Sequence, residues 1–251
     1  MIQSILRASE LMEVLKIPDK EFTVSGLSEE LQLSPSTIHR ILQTLCQIRY
    51  VVKDERAHTY KLGPALISLG LISQHNLRLL DFANPILYKL SNETDEDSFL
   101  IIKAENKGLL LQESQSSNPL KIVDKYGYER YLHCGAIRKT LLAYQSDDFI
   151  KNYISQVLTK DNVFPKMTPQ ALMADIEMIR KTGIGISYGE YIKNAIGIGA
   201  PVFDFNNKIV ASIGIVFSAS RLKDDDHLKK LKTIVKHYGN QLSVSIGVSP
   251  K

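Results

Sequence analysis

Residues 33–45, LSPSTIHRILQTL, constrain this chain more than any other stretch. Ser34 suits a helix N-cap and Pro35 the first helical position. Ile38, Ile41, Leu42 and Leu45 recur at i, i+3, i+4 and i+7, which is one apolar stripe. At roughly 100° per residue, Ser36, Arg40, Gln43 and Gln47 fall on the opposite face. Those side chains can hydrogen-bond base edges or phosphates. A helix with a packed back and such a front fits a DNA major groove.

The flanking pattern predicts what carries that helix. Residues 2–15 read as a first helix with Ile5, Ala8, Leu11, Met12 and Leu15 on one face, ended near Pro18. Thr23 precedes a second short helix over 24–31, and Gln32 and Leu33 make the turn. Two β-rich runs, 50–53 and 59–62, flank a polar turn bearing Lys53, Arg56 and His58, which reads as a hairpin. Three helices followed by a hairpin is the winged helix-turn-helix arrangement. Charge agrees with it locally. Residues 1–33 carry three basic and six acidic side chains, whereas residues 34–61 carry five basic and two acidic. The positive potential therefore begins at the third helix, where phosphates would lie. The net charge of +4 for the whole chain says nothing about nucleic acid by itself.

Gly63-Pro64 punctuates the chain, and the apolar run after it reads as a linker helix with Leu66, Leu69 and Ile72 on one side. The expected organisation is a winged helix-turn-helix domain over residues 1–62, a linker helix over 63–77 and a second domain over 78–251. In that second part, helices are predicted over 82–90, 136–144, 147–158, 168–181 and 224–244. Strands are predicted over 98–104, 108–113, 120–126, 184–188, 196–203 and 208–217. Strands paired as hairpins, with helices between and after them, predict an α+β domain with an antiparallel sheet.

The residue types exclude several functions. Two cysteines, Cys46 and Cys134, give neither a disulfide framework nor a multi-cysteine zinc site, and Cys46 is expected to be a buried thiol. His133-Cys134 and the widely spaced His227 and His237 do not reach metal-ligand spacing. Asp224, Asp225 and Asp226 read as carboxylates at a helix N-terminus. Cys134 near a helix start is the sharpest nucleophile, because a helix start lowers a thiol pKa, yet no base accompanies it. The glycines at 183, 185, 189, 197 and 199 form neither G-x-G-x-x-G nor a P-loop. No catalytic residue, metal or cofactor is expected. No signal peptide or membrane span is legible, so a cytoplasmic protein without membrane contact is expected.

With these motifs in place, the chain resembles the IclR-type family of bacterial transcriptional regulators nearly end to end. LSPSTIHRILQTL is similar to the family's recognition helix, and YVVKDERAHTYKLGPALISLG to its wing and linker helix, including the Tyr60-x-Leu62-Gly63 step. LHCGAIRKTLLA and the segment over 183–221 resemble its two effector-domain signatures. The resemblance implies a GAF-like or profilin-like effector domain, a homodimer or dimer of dimers, a double-stranded DNA operator and a small organic effector. It implies DNA contacts by Ser36, Thr37, His39, Arg40, Gln43, Thr44, Lys53 and Arg56. It implies an effector pocket around Gly135, Ala136, Ser187, Gly197, Gly214 and Val216.

The pocket departs from the family's pattern. Ile137-Arg138 stands where a small residue and glycine are usual, and Gly197 where a cysteine is common. Ser187 stands where an acidic residue can occur, and Gly214 and Val216 replace serines, while Glu190 remains of an acidic pair. Three positions shrink or lose a donor. The expected ligand is therefore larger or more apolar than a small keto-acid, with one anionic end near Gly135, Ala136 and Arg138. A pocket closed by Ile137 is the opposite expectation. A repressor controlled by such a ligand is the leading reading. A cysteine-dependent or metabolite-binding enzyme-like domain with a vestigial DNA module stays open, as does a ligand-free DNA-binding protein.

Overall fold

A computed structural model describes residues 1–17, 20–75, 79–119, 129–160, 164–190 and 192–247, in two compact units, Met1–Leu77 and Arg78–Lys251. The first unit holds α1 (Gln3–Leu15), α2 (Val24–Leu31), α3 (Pro35–Gln47), an antiparallel hairpin of β1 (Val51–Asp54) and β2 (Thr59–Leu62), and α4 (Ala65–His75). Its core joins Leu11, Leu15, Leu27, Ile38, Leu42, Leu45, Val51 and Tyr60. Phe22, between α1 and α2, bridges to Tyr60, so the loop closes against the wing. One expectation fails here, that of a buried Cys46. Ile5 shares the apolar face of α1 but is 63% exposed, because only the C-terminal half of that helix meets the core. Cys46 is only partly buried, at the margin of the α3 stripe rather than within it.

The second unit is built on a six-stranded antiparallel sheet in the order β5-β4-β3-β8-β7-β6. The strands are β3 (Asp97–Ala104), β4 (Lys107–Ser114), β5 (Glu129–Tyr131), β6 (Gly185–Tyr188), β7 (Ala195–Phe203) and β8 (Ile209–Ser218). Alternation along the strands separates two cores. Leu100, Ile196, Ile198, Ile213, Ile215 and Phe217 face α5 (Leu79–Thr94) and α9 (Asp225–Gly247). Phe99, Ile101 and Leu110 face α6 (Gly135–Ala143), α7 (Asp147–Tyr153) and α8 (Pro169–Thr182). This is the expected α+β architecture.

Glycine explains how close α6 comes to the sheet. A Cβ at Gly199 would lie 2.7 Å from the Ile137 Cα, and one at Gly214 would collide with the Ile198 carbonyl and lie 2.7 Å from Ile137 Cγ1. These strand glycines are therefore a floor for α6. Helix ends follow their caps: Ser146 and Thr168 accept from Phe149 N–H and Ala171 N–H, and Gly183 ends α8 at φ 72°. Asp224 accepts the His227 N–H at 2.7 Å, so the acidic triple opens α9.

Other boundaries move. α5 begins before residue 82 and runs through Pro85, whose missing N–H falls on an exposed face that water can reach. The predicted helix over 147–158 is α7 followed by a single π-helical turn, Ile154–Leu158. The short β5 has no counterpart among the predicted strands, and the predicted strand over 120–126 lies outside the described residues.

Candidate functional site

The first unit presents α3. The Ser34 Oγ accepts the Thr37 N–H at 3.4 Å, Pro35 stands at the first turn, and Ile38, Leu42 and Leu45 are buried. Those anchors leave Ser36, His39, Arg40, Gln43 and Thr44 exposed. Among the described residues, no hydrogen bond or ion pair holds the side chains of His39, Arg40 or Gln43. Two hydroxyls are already committed. The Thr44 hydroxyl donates to the Arg40 carbonyl at 3.0 Å, and the Thr37 and Ser34 hydroxyls share a hydrogen bond of 2.9 Å. The Thr44 hydroxyl therefore offers no free donor to phosphate in this rotamer.

On the wing, Asp54 Oδ1 accepts the N–H groups of Arg56 and Ala57 at 2.9 and 3.0 Å, which holds the turn and keeps its carboxyl below the usual range. Lys53 Nζ is 2.7 Å from Glu55, and that hydrogen bond raises the lysine pKa. Lys53 is thus a half-neutralised cation, while Arg56 is exposed. Gly63 joins the wing to α4: its N–H donates to the Tyr50 carbonyl at 2.7 Å, and a Cβ there would strike the Arg49 carbonyl.

In the second unit a small cavity, open at its mouth, lies between α6 and the sheet. Gly135, Ala136, Ser187, Gly197 and Val216 line it, which brings together five of the six pocket residues expected from the sequence. Gly214 is not among its lining residues. It shares a sheet face with Val216, but the Ile137 side chain covers it. Ile137 itself is part of the wall and does not close the cavity.

The start of α6 is filled from within the protein. The Ala136 N–H donates to Ser187 Oγ at 3.0 Å, and Glu190 lines the cavity beside Gly135. Lys139, fully buried, donates to Asp175 at 2.5 Å and to Glu190 at 2.7 Å. Burial raises the Glu190 pKa, and Lys139 opposes the shift. Lys139, Asp175 and the apolar wall residues Phe99 and Ile101 are not among the residues that the sequence motifs single out. A lysine amid IRKTLLA and the alternation of β3 are the only signals for them.

Cys134 is buried, and its thiol is pushed up to about 12 by burial, which outweighs the helix start expected to lower it. Its Sγ donates to the Phe164 carbonyl at 3.1 Å. The neighbouring His133 is turned away, with Nδ1 2.6 Å from the Tyr153 hydroxyl and Nε2 3.1 Å from the Pro165 carbonyl. A protonated thiol without a base is not a nucleophile. Among the described residues, no His, Cys, Asp and Glu side chains are grouped to hold a metal ion, and no helix is long and apolar enough to cross a membrane.

A winged helix-turn-helix with an exposed polar recognition helix, joined to an antiparallel α+β unit with a cavity, defines a DNA-binding regulator of the two-domain kind. Residues 4–55 match the IclR helix-turn-helix domain, and residues 72–244 match the C-terminal part of the bacterial transcriptional regulator IclR. The chain belongs to the IclR family of transcriptional regulators. It is 26% identical over 254 residues to the DNA-binding transcriptional repressor YiaJ of Escherichia coli, covering 97% of this chain and 89% of that one. A regulator of the same family from Silicibacter sp. shares the fold with a TM-score of 0.84 at 21% identity, over 99% and 98% of the two chains. An IclR homologue from Microbacterium hydrocarbonoxydans, complexed with 4-hydroxybenzoate, superposes with a TM-score of 0.80 at 18% identity, over 98% of this chain and all of that one.

Proposed function

We propose that this regulator is a cytoplasmic repressor that binds a double-stranded DNA operator through α3 and releases it when a small organic molecule occupies the cavity beside α6. The observation that carries the reading is the coexistence in one chain of the exposed Arg40–Gln43 face and a cavity with a mouth open to solvent. Arg40 takes guanine or phosphate, Gln43 takes adenine, and Ser36 and His39 lie beside them. Arg56 on the wing neutralises a phosphate, and Lys53 joins it once Glu55 is displaced. Thr44 contacts the backbone only after its hydroxyl rotates, and Thr37 lies on the same flank.

A single winged helix covers one half-site, so the protein acts as a homodimer or dimer of dimers. Ile67, Leu69, Leu71 and Ile72 are exposed around α4, which supports association through that helix. The similarity to YiaJ, a repressor, supports the sign of regulation, and the 4-hydroxybenzoate held by the Microbacterium homologue supports a small organic ligand for the cavity.

The experiment is operator affinity by fluorescence anisotropy, using DNA from upstream of the gene, for the parent and Gly197→Leu. A leucine there fills the cavity beside Ser187 and Ala136. Coupling between ligand and DNA sites is on the order of 5–150-fold. A change of that size supports effector control, and identical affinities with a folded variant count against it. Loss of the gene should raise expression from the operator. Reduced expression would make the protein an activator.

A further inference from the structure

Resting on the reading of the α6 cavity as the effector site, we infer that the effector is an uncharged, largely apolar molecule that presents a hydroxyl or N–H group to Glu190, and that it is not a carboxylate. A carboxylate ligand needs donors, and at the helix start the Ala136 N–H is taken. Ser187 Oγ holds it, and the Glu190 carboxylate lines the cavity beside Gly135. A ligand anion would have to displace Ser187 and stand beside a like charge.

Nearby positive charge is also spent. Lys139 is bonded to both Asp175 and Glu190, and Arg138, in the wall, donates its Nε to the Gly108 carbonyl at 3.3 Å. Arg138 and Glu190 are the charged residues among those described in the cavity wall, one of each sign, so the wall carries no excess charge to attract an anion. By the same count an ammonium group would leave it positive.

What the site lacks is a donor. Glu190 lines the cavity, and its Oε2 is cut off from solvent without a hydrogen-bond partner among the described residues. An acceptor left so is costly, and a ligand donor relieves that cost. The opposing walls are hydrocarbon, from Phe99, Ile101, Ile137, Ile192 and Val216. The anionic end expected from the sequence is thus replaced by a donor, and the expected apolar body is kept.

Four probes sharing one ring test this on the full-length protein by calorimetry: benzyl alcohol, toluene, benzylamine and benzoate. Benzyl alcohol should bind at least roughly tenfold tighter than toluene and than either charged probe, as one hydrogen bond to a charged acceptor allows. Glu190→Gln should cut the preference for benzyl alcohol over toluene to less than about threefold while toluene still binds, which shows that the cavity persists. Ser187→Ala, by freeing the Ala136 N–H, should improve benzoate binding. Benzoate or benzylamine equal to or tighter than benzyl alcohol in the parent overturns the donor reading and leaves the effector cavity standing. An unchanged preference in Glu190→Gln overturns it also. Binding of none of the four overturns it. If Gly197→Leu then leaves operator affinity unchanged as well, the effector reading itself has failed.

Discussion

Lys139 Nζ lies 2.7 Å from Glu190 Oε1, although 51 residues separate the two in the chain. The contact ties the middle of α6 to the turn after β6, and the lysine is 1% exposed. Removing one partner of such a pair leaves the other charge uncompensated. Lys139→Met is expected to destabilise the protein by about 3 kcal/mol in urea unfolding at pH 8. Without Lys139 the Glu190 carboxyl rises further above its unfolded value. The folded state then holds more protons, so the variant's stability falls as pH rises. The loss should therefore be smaller at pH 5, and Lys139→Met/Glu190→Gln should recover part of it at pH 8. A loss that is the same at both pH values would contradict this arrangement.

His133 gives the opposite slope. It is fully buried, and burial holds its pKa below the ordinary 6.5, against the opposing hydrogen bond with the Pro165 carbonyl and with a smaller push from Lys139. The unfolded chain therefore takes up a proton at a pH where the folded one does not. Stability from this residue is complete above the unfolded pKa and is lost as pH falls below 6.5 toward the folded value. Thermal melts between pH 7 and about pH 5, above the main carboxylate titrations, should show a decline that His133→Gln removes. Parent and variant curves of identical slope would be evidence against a neutral, buried histidine.

Two glycines should respond in opposite directions. A Cβ at Gly214 meets the Ile198 carbonyl and Ile137, both fixed by packing. Gly214→Ala is expected to cost about 2–3 kcal/mol by overpacking. Gly70 lies within α4, is exposed, and a methyl group added there would meet nothing within 4 Å. Gly70→Ala should stabilise the first unit by about 0.5–1 kcal/mol, since alanine loses less backbone freedom in a helix. Chemical denaturation of both variants checks the pair, and a neutral Gly214→Ala would show that the strand glycines are no floor for α6.

The contrast between α3 and the cavity shows what a sequence carries. The stripe Ile38, Ile41, Leu42 and Leu45 is a local pattern, so the helix, its Ser34 cap and its exposed Arg40 face are legible directly. The short hairpin is legible for the same reason. Cavity walls depend on which residues meet across the sheet. Gly214 has the correct face by alternation, yet nothing local says that Ile137 covers it. The Lys139–Asp175–Glu190 cluster joins three distant segments; Glu190 is marked as the remnant of an acidic pair and Lys139 as an odd lysine in an apolar helix, but nothing local marks Asp175 or joins the three. Cys134 shows competing effects: its place at a helix start is visible in the sequence, while the burial that dominates its chemistry is not. The family signatures single out residues that line the cavity, but the bond between the Ala136 N–H and Ser187 emerges only from the structure.

Everything proposed for this regulator depends on the exposed face of α3 reading the operator, and the decisive number is the operator affinity of Arg40→Ala. Arg40 is exposed and packs into no core cluster, so the variant should melt like the parent. Losing a bidentate base contact costs about 1–3 kcal/mol, roughly 5–150-fold in affinity. Anisotropy titrations on the operator should show that weakening, with binding to unrelated DNA reduced much less. Equal operator affinities for Arg40→Ala and parent would contradict the assignment of α3 as the reading helix.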